Sequence, residues 1–424
     1  MTARIRKLAV ATTQGEAGEL FRESQFVFRY RDEALARPDL AISLTMPPRP
    51  GGYNTSQLTP VLAMNLPEGF LRDRIVQRYG KSVDVRDDMN LLAISSTRYS
   101  GRVWAHDGTN PSALPADRVH LKELLAAKGT DKLFDELVER FAMSTMISGI
   151  QPKVVVPIAE RARAGSMLDR PALKSPDLII KAAGVEYPGL PENEFHCMSI
   201  ARAAGIEAPE FWLSDDRSLF LIRRFDLRSD GAFVGFEDIA SLTGRHPDRK
   251  YNGNYAQVAR ALSDFCAPAH RASSLDRFFR QLVLCCLLEN GDAHLKNWGV
   301  LYGDPVSADT DARLSPAFDI VCTTAFIPAD RLALNLGGTK AWPDRASLER
   351  FGREQCGIAN PGETIEEIVA AAASYKPAES TPMWKKISEA MQRQRAVLMA
   401  SGLKRLRRTR KHGTQKTRNA DEHR

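Results

Sequence analysis

A short polar stretch between two apolar segments is the feature that most constrains how this 424-residue chain can fold. It runs from Asp292 to Asn297 and follows a segment, Leu275 to Leu288, whose apolar residues recur at helical spacing. Asn290 and Gly291 predict a turn directly after that helix, and the apolar run from Trp298 to Tyr302 predicts a short strand. We therefore expect a polar loop between a core helix and a core strand, a rigid setting that suits catalysis.

The spacing of two residues in this loop indicates a chemistry. Asp292 and Asn297 are separated as the catalytic base and the magnesium-binding amide are in a protein-kinase catalytic loop. A second carboxylate is then expected at the end of a following strand, where Asp319 is the candidate magnesium ligand within the apolar stretch from Leu314 to Val321. A short motif also has a plainer interpretation, in which Asp292 caps a turn and Asp319 ends a strand.

A lysine and a glutamate upstream fit the same chemistry. Leu178 to Lys181 reads as a buried strand that ends in a lysine, and Asn193 to Ala204 reads as a helix with Glu194 on its apolar face. A buried charge needs a partner, and kinases use a lysine–glutamate pair of this kind to hold the α- and β-phosphates of ATP. The alternative is a structural salt bridge.

A loop before the preceding strand is a candidate phosphate-binding segment. The residues Ser148, Gly149, Ile150, Gln151, Pro152 and Lys153 lead from a helix, predicted at Leu133 to Met143, into the strand Val154 to Ile158. Small residues and a lysine in such a loop allow backbone N–H groups to contact nucleotide phosphates. The loop matches neither of the common glycine-rich nucleotide motifs, so an ordinary hairpin entry remains open.

The order of elements predicts a two-lobed arrangement. Two more strands, Pro209 to Leu213 and Ser218 to Asp226, complete a small lobe, and the segment Arg223 to Phe225 is the expected hinge for adenine. Helical patterns dominate from residue 236 onward, as a large lobe requires, and they cover Tyr255 to Phe265, Leu275 to Leu288, Ile365 to Tyr375 and Met383 to Met399.

The N-terminal part reads as a separate packing or partner-binding module without catalytic residues. We predict strands at Leu8 to Ala11, Glu19 to Phe21 and Phe26 to Tyr30, helices at Phe70 to Tyr79 and Met89 to Ile94, and a linker from Ala105 to Asp117. The predicted domains are residues 1–135, 136–230 for the small lobe, 231–402 for the large lobe, and 403–424 for a disordered basic tail.

Charge and cysteine content indicate possible partners and the cellular compartment of the protein. The net charge is +7, and eight lysines and arginines between positions 404 and 418 dominate it, so the tail either binds phosphate backbones or is simply solvated. The six cysteines lack metal-site spacing and sit in apolar surroundings, which favours buried reduced thiols. Without a membrane-spanning run or a signal-peptide core, we expect a cytoplasmic protein.

Several motifs, in order along the chain, resemble those of HipA-type serine/threonine kinase toxins. They are Leu66 to Gly69, Ser148 to Lys153, Ile179 to Lys181, Asn193 to Phe195, Arg224 to Asp226, Asn290 to Asn297 and Ser315 to Ile320. The resemblance implies an α+β, two-lobed protein-kinase-like fold with an additional N-terminal α/β subdomain. It also implies the toxin of a type II toxin–antitoxin system, which uses ATP and Mg²⁺ to phosphorylate a protein Ser or Thr, in the best-known case on an aminoacyl-tRNA synthetase, and so causes dormancy.

Carried over position by position, the resemblance makes Asp292 the general base and Asn297 and Asp319 the magnesium ligands. The expected nucleotide-binding residues are Ser148, Gly149, Ile150, Gln151, Pro152, Lys153, Lys181, Glu194, Arg223, Arg224, Phe225, His294, Lys296, Asn297, Phe318 and Asp319. The implied partners are a HipB-like helix-turn-helix antitoxin, a protein substrate, and operator DNA through the antitoxin complex.

Two positions depart from the family pattern. Met146 stands where the family has its autophosphorylated serine, with Ser144, Thr145 and Ser148 beside it, and Arg223 replaces an acidic residue at the start of the hinge. A second function class also remains open: an ATP-binding corepressor of weak catalytic power that acts on operator DNA with the antitoxin. A small-molecule or lipid kinase on a similar scaffold is a third.

Overall fold

The computed structural model describes residues 5–80, 84, 86–94, 100–108, 119–126, 130–141, 151–158, 177–228 and 231–400, and the fold is α+β. The strands are β1 (Lys7–Thr12), β2 (Gly15–Arg22), β3 (Phe26–Tyr30), β4 (Tyr53–Thr55), β5 (Val103–His106), β6 (Lys153–Pro157), β7 (Asp177–Ala182), β8 (Phe211–Leu213), β9 (Leu219–Arg223), β10 (Gly235–Asp238), β11 (Gly299–Tyr302) and β12 (Arg313–Leu314). The helices are α1 (Asp32–Leu35), α2 (Pro60–Ala63), α3 (Gly69–Tyr79), α4 (Asp88–Ile94), α5 (Leu121–Ala126), α6 (Thr130–Phe141), α7 (Leu190–Ala203), α8 (Ile239–Leu242), α9 (Tyr255–Phe265), α10 (Pro268–Leu287), α11 (Ala308–Asp311), α12 (Arg345–Cys356), α13 (Pro361–Ser374) and α14 (Pro382–Leu398).

The N-terminal module is built on an antiparallel sheet with the strand order β4-β3-β2-β1-β5. The predicted strands in β1 to β3 and the predicted helices α3 and α4 are confirmed. The predicted linker is wrong at its start, because Ala105 lies in β5, where it pairs with Val10 of β1. Ala105 is fully buried, so this stretch belongs to the core. Residues 109–118 of that linker lie outside the described residues.

The small-lobe sheet has the order β6-β7-β9-β8 and is covered on both faces. Side chains alternate across a strand, so each strand contributes to two cores. The face toward the N-terminal module carries Val154, Val156, Leu178, Ile180, Leu219 and Leu221. The face toward α7 carries Phe211, Phe220 and Ile222. The sheet is thereby fixed between the N-terminal module and the helix that bears Glu194.

Helix α7 has the predicted buried face. Glu194, Cys197, Met198 and Ala201 are all fully buried, and Gly189 precedes the helix with a left-handed backbone conformation, φ 81°. The boundary predicted at residue 135 falls inside α6, which runs on into the small lobe. The division into domains therefore stays a prediction.

The large lobe packs around α10. Phe278, Phe279 and Leu282 on this helix are fully buried, and the predicted helices corresponding to α9, α13 and α14 are confirmed. The predicted start of α10 at Leu275 is wrong, because the helix begins at Pro268 with two polar turns. Helix α12 was not predicted at all.

A small sheet, β10-β11-β12, lies beside the loop from Asp292 to Asn297 and includes the predicted strand after it. All six cysteines lie in described ranges and are buried thiols, as expected. Within those ranges, no helix combines the length and the apolar character needed to cross a bilayer. The tail from residue 403, like Ser144 to Ile150 with Met146, lies outside the described residues.

Candidate active site

Lys181 is the centre of a buried ionic cluster. Its Nζ lies 2.6 Å from Oε1 of Glu194 on α7 and 2.7 Å from Oδ1 of Asp319. Although burial opposes the charged form, these two carboxylates outweigh it and raise the pKa of Lys181 above its usual range. Burial raises the pKa of Glu194 to about 7. The lysine is therefore a permanent cation that joins the small lobe to the segment bearing Asp319.

Lys153 lies directly opposite Lys181 in the sheet. The two residues are cross-strand partners of β6 and β7, so their side chains share one face. Burial and the Lys181 charge lower the pKa of Lys153 to about 8. Before it, Gln151 and Pro152 also line the cavity, whereas Ser148, Gly149 and Ile150 lie outside the described residues. Two cations at this edge suit an anionic ligand.

The candidate catalytic loop, Asp292 to Asn297, is held by the backbone before it and by residues near the end of α14. Glu289, which follows α10, has a positive φ of 50°. Its carboxylate accepts hydrogen bonds from Arg393 at 2.7 Å and from Gln394 at 3.0 Å. Asn290 then caps the turn by accepting the N–H of Asp292 at 3.0 Å. These contacts fix the point from which the loop leaves the helix.

Asp292 faces the cavity as a candidate base. Removal from bulk water and the nearby Asp319 carboxylate raise its pKa to about 6, although 41% of the side chain remains exposed. The Tyr251 hydroxyl donates a hydrogen bond to Oδ1 of Asp292 at 2.5 Å. The carboxylate is thus mostly ionised at neutral pH yet basic enough to accept a proton.

Asn297 and Asp319 come together as predicted, but the backbone at Asp319 differs. The side-chain nitrogen of Asn297 donates to the backbone oxygen of Asp292 at 3.1 Å and to that of Asp319 at 3.5 Å. The prediction that Asp319 ends a strand is wrong: β12 stops at Leu314, Pro316 lacks a ladder donor, and Asp319 has a φ of 59°. This left-handed conformation is uncommon outside glycine.

The donor set fits a magnesium ion. Among the described residues, both hydrogen bonds of Asn297 use its amide nitrogen, so the amide oxygen remains for a metal. Lys181 occupies Oδ1 of Asp319, which leaves Oδ2 without a partner in the described part of the chain. Lys181 and Lys153 outweigh burial to hold the pKa of Asp319 well below its usual range. Hard oxygen ligands from one carboxylate and one amide are what magnesium takes in nucleotide sites.

His294 and Lys296 lie between Asp292 and Asn297 in the sequence. Burial and Lys250 lower the pKa of His294 to about 3, so the ring is neutral. Its Nδ1 is buried without a hydrogen-bond partner among the described residues, which suits a ligand in the cavity. Lys296 instead turns toward the N-terminal module, where it donates to the backbone oxygen of Met64 at 3.0 Å.

Aromatic rings form the other end of the cavity. Phe225 packs on Phe236 and Phe318, with ring centroids 5.1 and 5.2 Å apart. The side chain of Arg223 pairs with Glu210, and that of Arg224 with Asp226, so the hinge presents its backbone and the phenyl rings. Aromatic faces of this kind suit a planar base.

One cavity of about 760 Å³ joins these parts. The expected site residues that line it are Gln151, Pro152, Lys153, Lys181, Arg223, Arg224, Phe225, Asp292, His294, Lys296, Asn297, Phe318 and Asp319. Glu194 lies behind Lys181 and reaches the site through it.

Several site residues were missed by the sequence analysis. Tyr251 contacts Asp292, and Glu289 anchors the loop, but nothing in their local sequence distinguishes them. Met64 and Phe70 of the N-terminal module also line the cavity. That module, interpreted from the sequence as a packing or partner-binding unit, thus also contributes to the wall of the cavity.

Comparison with known proteins places the chain in a family. The HipA-like C-terminal domain matches residues 145–376, which is more than half of the chain, and the HipA N-terminal domain matches residues 8–105. The chain belongs to the HipA family. A relative in Sinorhizobium fredii named "Putative kinase Y4dM" is 31% identical over 372 residues, 82% of each chain. A second, "Putative kinase Y4mE", is 22% identical over 336 residues, 74% of this chain and 77% of its own.

The fold agrees with this membership. HipA of the Shewanella oneidensis MR-1 toxin–antitoxin system, solved with HipB and its operator DNA, superposes with a TM-score of 0.67 at 16% identity. The match covers 92% of this chain and 96% of that one. The predicted two-lobed HipA-like fold with an N-terminal subdomain is confirmed across nearly the whole length.

Proposed function

We propose that this HipA-family protein is an ATP- and Mg²⁺-dependent serine/threonine protein kinase that acts as the toxin of a type II toxin–antitoxin module. The observation that carries the proposal is the position of the Lys181 ammonium, 2.6 Å from Glu194 and 2.7 Å from Asp319, in the cavity that also contains Asp292. Residues from three distant parts of the chain meet there. A purely structural salt bridge has no need of a neighbouring base and amide.

The cavity has the chemistry that ATP requires. Its aromatic end, formed by Phe225, Phe236 and Phe318, suits adenine, and its cationic end at Lys153 and Lys181 suits the triphosphate. Its volume of about 760 Å³ falls within the ordinary range for ligand pockets. Asn297 and Asp319 would hold magnesium, which would neutralise charge developing on the phosphates.

In the proposed reaction, Asp292 accepts the proton of a substrate hydroxyl while the hydroxyl oxygen bonds to the γ-phosphorus of ATP. The bond between the γ-phosphorus and the bridging oxygen breaks, and ADP leaves with that electron pair. Lys181 holds the phosphates in line, and Glu194 holds Lys181. The neutral His294 ring offers its unpartnered Nδ1 to the same ligand. Positioning and charge neutralisation then supply most of the rate.

Family membership supports the biological context of the proposal. The HipA neighbour was solved with HipB and operator DNA, which supports a HipB-like antitoxin and DNA as partners here. The protein acceptor, with an aminoacyl-tRNA synthetase as the first candidate, is tested by phosphoproteomics of arrested cells. A labelled metabolite or lipid without a labelled protein would favour a small-molecule kinase instead.

The test compares Asp292→Asn with Asp309→Asn, an exposed aspartate on the short helix α11. Removal of a general base costs about 100-fold or more in rate, so we expect Asp292→Asn to lose phosphoryl transfer from labelled ATP and growth arrest together. Asp309→Asn keeps both. Growth arrest that survives Asp292→Asn would contradict the proposal and favour the corepressor function.

A further inference from the structure

Glu68 of the N-terminal module reaches the catalytic loop. It lies just before α3, and its two carboxylate oxygens lie 3.0 Å from Nζ of Lys250 and 3.2 Å from Nζ of Lys296. Both lysine side chains are 8% exposed and that of Glu68 is 20% exposed. One carboxylate therefore separates two largely buried ammonium groups that repel each other without it.

The two lysines belong to different segments of the chain. Lys296 is part of the loop, between the base and the amide, and its ammonium is also 3.9 Å from Asp238 of β10. Lys250 belongs to a separate segment, and its backbone oxygen accepts the N–H of Leu295 at 3.1 Å. Tyr251, the next residue, donates to Asp292. Glu68 thus connects the loop with the segment that contacts the base.

We infer that Glu68 is a positioning residue, which holds the turn from Asp292 to Asn297 in its working shape through Lys296 and Lys250. The N-terminal module is then a working part of the phosphotransfer site as well as a packing domain. Without the Glu68 charge, the Lys296 ammonium still donates to the Met64 backbone oxygen, but no carboxylate then separates it from the Lys250 ammonium, so the tie between the loop and the module weakens. The effect of Glu68 on catalysis rests on the proposed function. Its effect on the structure of the loop does not.

The structural consequence is tested in the full-length chain without nucleotide. Hydrogen–deuterium exchange is compared in wild type, Glu68→Gln and Glu23→Gln, an exposed glutamate in the same module. We expect Glu68→Gln to speed exchange of the Leu295 and Asn297 amides by about tenfold, because hydrogen bonds between charged groups are lost. Glu23→Gln leaves exchange unchanged. Wild-type protection of both amides in Glu68→Gln would overturn the inference.

The kinetic consequence is tested by a double-mutant cycle with Lys296→Met. If Glu68 acts through Lys296, Glu68→Gln lowers kcat at saturating ATP in wild type and has little further effect in Lys296→Met. Fully additive losses would show a general effect on stability and overturn the positioning role. Absence of activity in wild type would count against the proposed function alone, since the exchange experiment needs no turnover.

Discussion

Replacing Lys181 by methionine removes the charge that holds two carboxylates together. Methionine preserves most of the side-chain volume, so packing against β9 is retained and the loss is mainly electrostatic. The ammonium lies 2.6 Å from Glu194, which is fully buried, and 2.7 Å from Asp319, whose side chain is 27% exposed. The uncompensated charge at Glu194 therefore dominates the effect.

Breaking a buried ion pair by removal of one partner costs about 3–5 kcal/mol. We expect Lys181→Met to lie near the lower end, about 3 kcal/mol, because solvent reaches Asp319 and relieves part of the penalty. The pKa of Glu194, already raised to about 7 by burial, rises further when the lysine is gone. In Lys181→Met, Glu194 therefore keeps a proton in the native state at a pH where the unfolded state has released it. The free energy of unfolding of the variant then falls as pH rises.

The assay is urea denaturation at pH 6 and pH 8, with Glu194→Gln as the second change. Lys181→Met should lose more stability at pH 8 than at pH 6. The double variant Lys181→Met/Glu194→Gln should recover about 2 kcal/mol, because a neutral amide replaces the unpaired carboxylate. A pH-independent loss, or a further loss in the double variant, would refute this account of the cluster.

Three further outcomes follow from the geometry. The Asp88 carboxylate, 3.8 Å from Nε2 of His246, and the Asp248 carboxylate, 3.0 Å from Nδ1, raise the pKa of His246, so the ion pair with Asp88 that joins the N-terminal module to the large lobe stabilises at low pH and is lost as pH rises through that pKa. This ion pair should contribute under ~1 kcal/mol to the free energy of unfolding, and denaturation curves of His246→Gln at several pH values should lack that contribution and its pH dependence. Gly291→Ala would place its Cβ against the Asp330 carboxylate and 2.6 Å from the backbone oxygen of Arg331, so the loop must shift, and steady-state kinetics should show a loss of about 100-fold; wild-type rates would contradict it. Glu237→Ala removes a carboxylate that accepts three hydrogen bonds, two of them from the N-terminal module, and urea denaturation should show a loss of about 3 kcal/mol in the free energy of unfolding.

The parts of the site that sequence reasoning predicted are those with a local signature. Asp292 and Asn297 share one loop, and Lys181 and Glu194 each sit on an element whose apolar period is visible. Their convergence, expected from the order of elements, is present in the structure. Helix α12 was missed although Asp344 caps its first turn and Gly357 ends it in a left-handed conformation.

The remaining contacts had no local signature. Glu68 and Lys250 are 182 positions apart, and Tyr251 meets Asp292 across 41 positions, so only the completed fold brings them together. The prediction of a strand that ends at Asp319 was wrong for a related reason, because the local sequence does not show which elements will cover it. Its apolar residues are buried by surrounding elements rather than by strand pairing, and Asp319 combines a positive φ with an ion pair to Lys181.

Buried and half-buried carboxylates form many of the contacts between the N-terminal module and the two lobes. Besides Glu68 and Glu237, the Asp226 carboxylate beside the hinge accepts the backbone N–H of Gly101 at 2.6 Å. Each of these carboxylates loses its bonds if the opposing surface changes. A chimera that takes this module from a distant relative would therefore have charged groups without their partners at the interface. We expect the two coding segments of such genes to be inherited together.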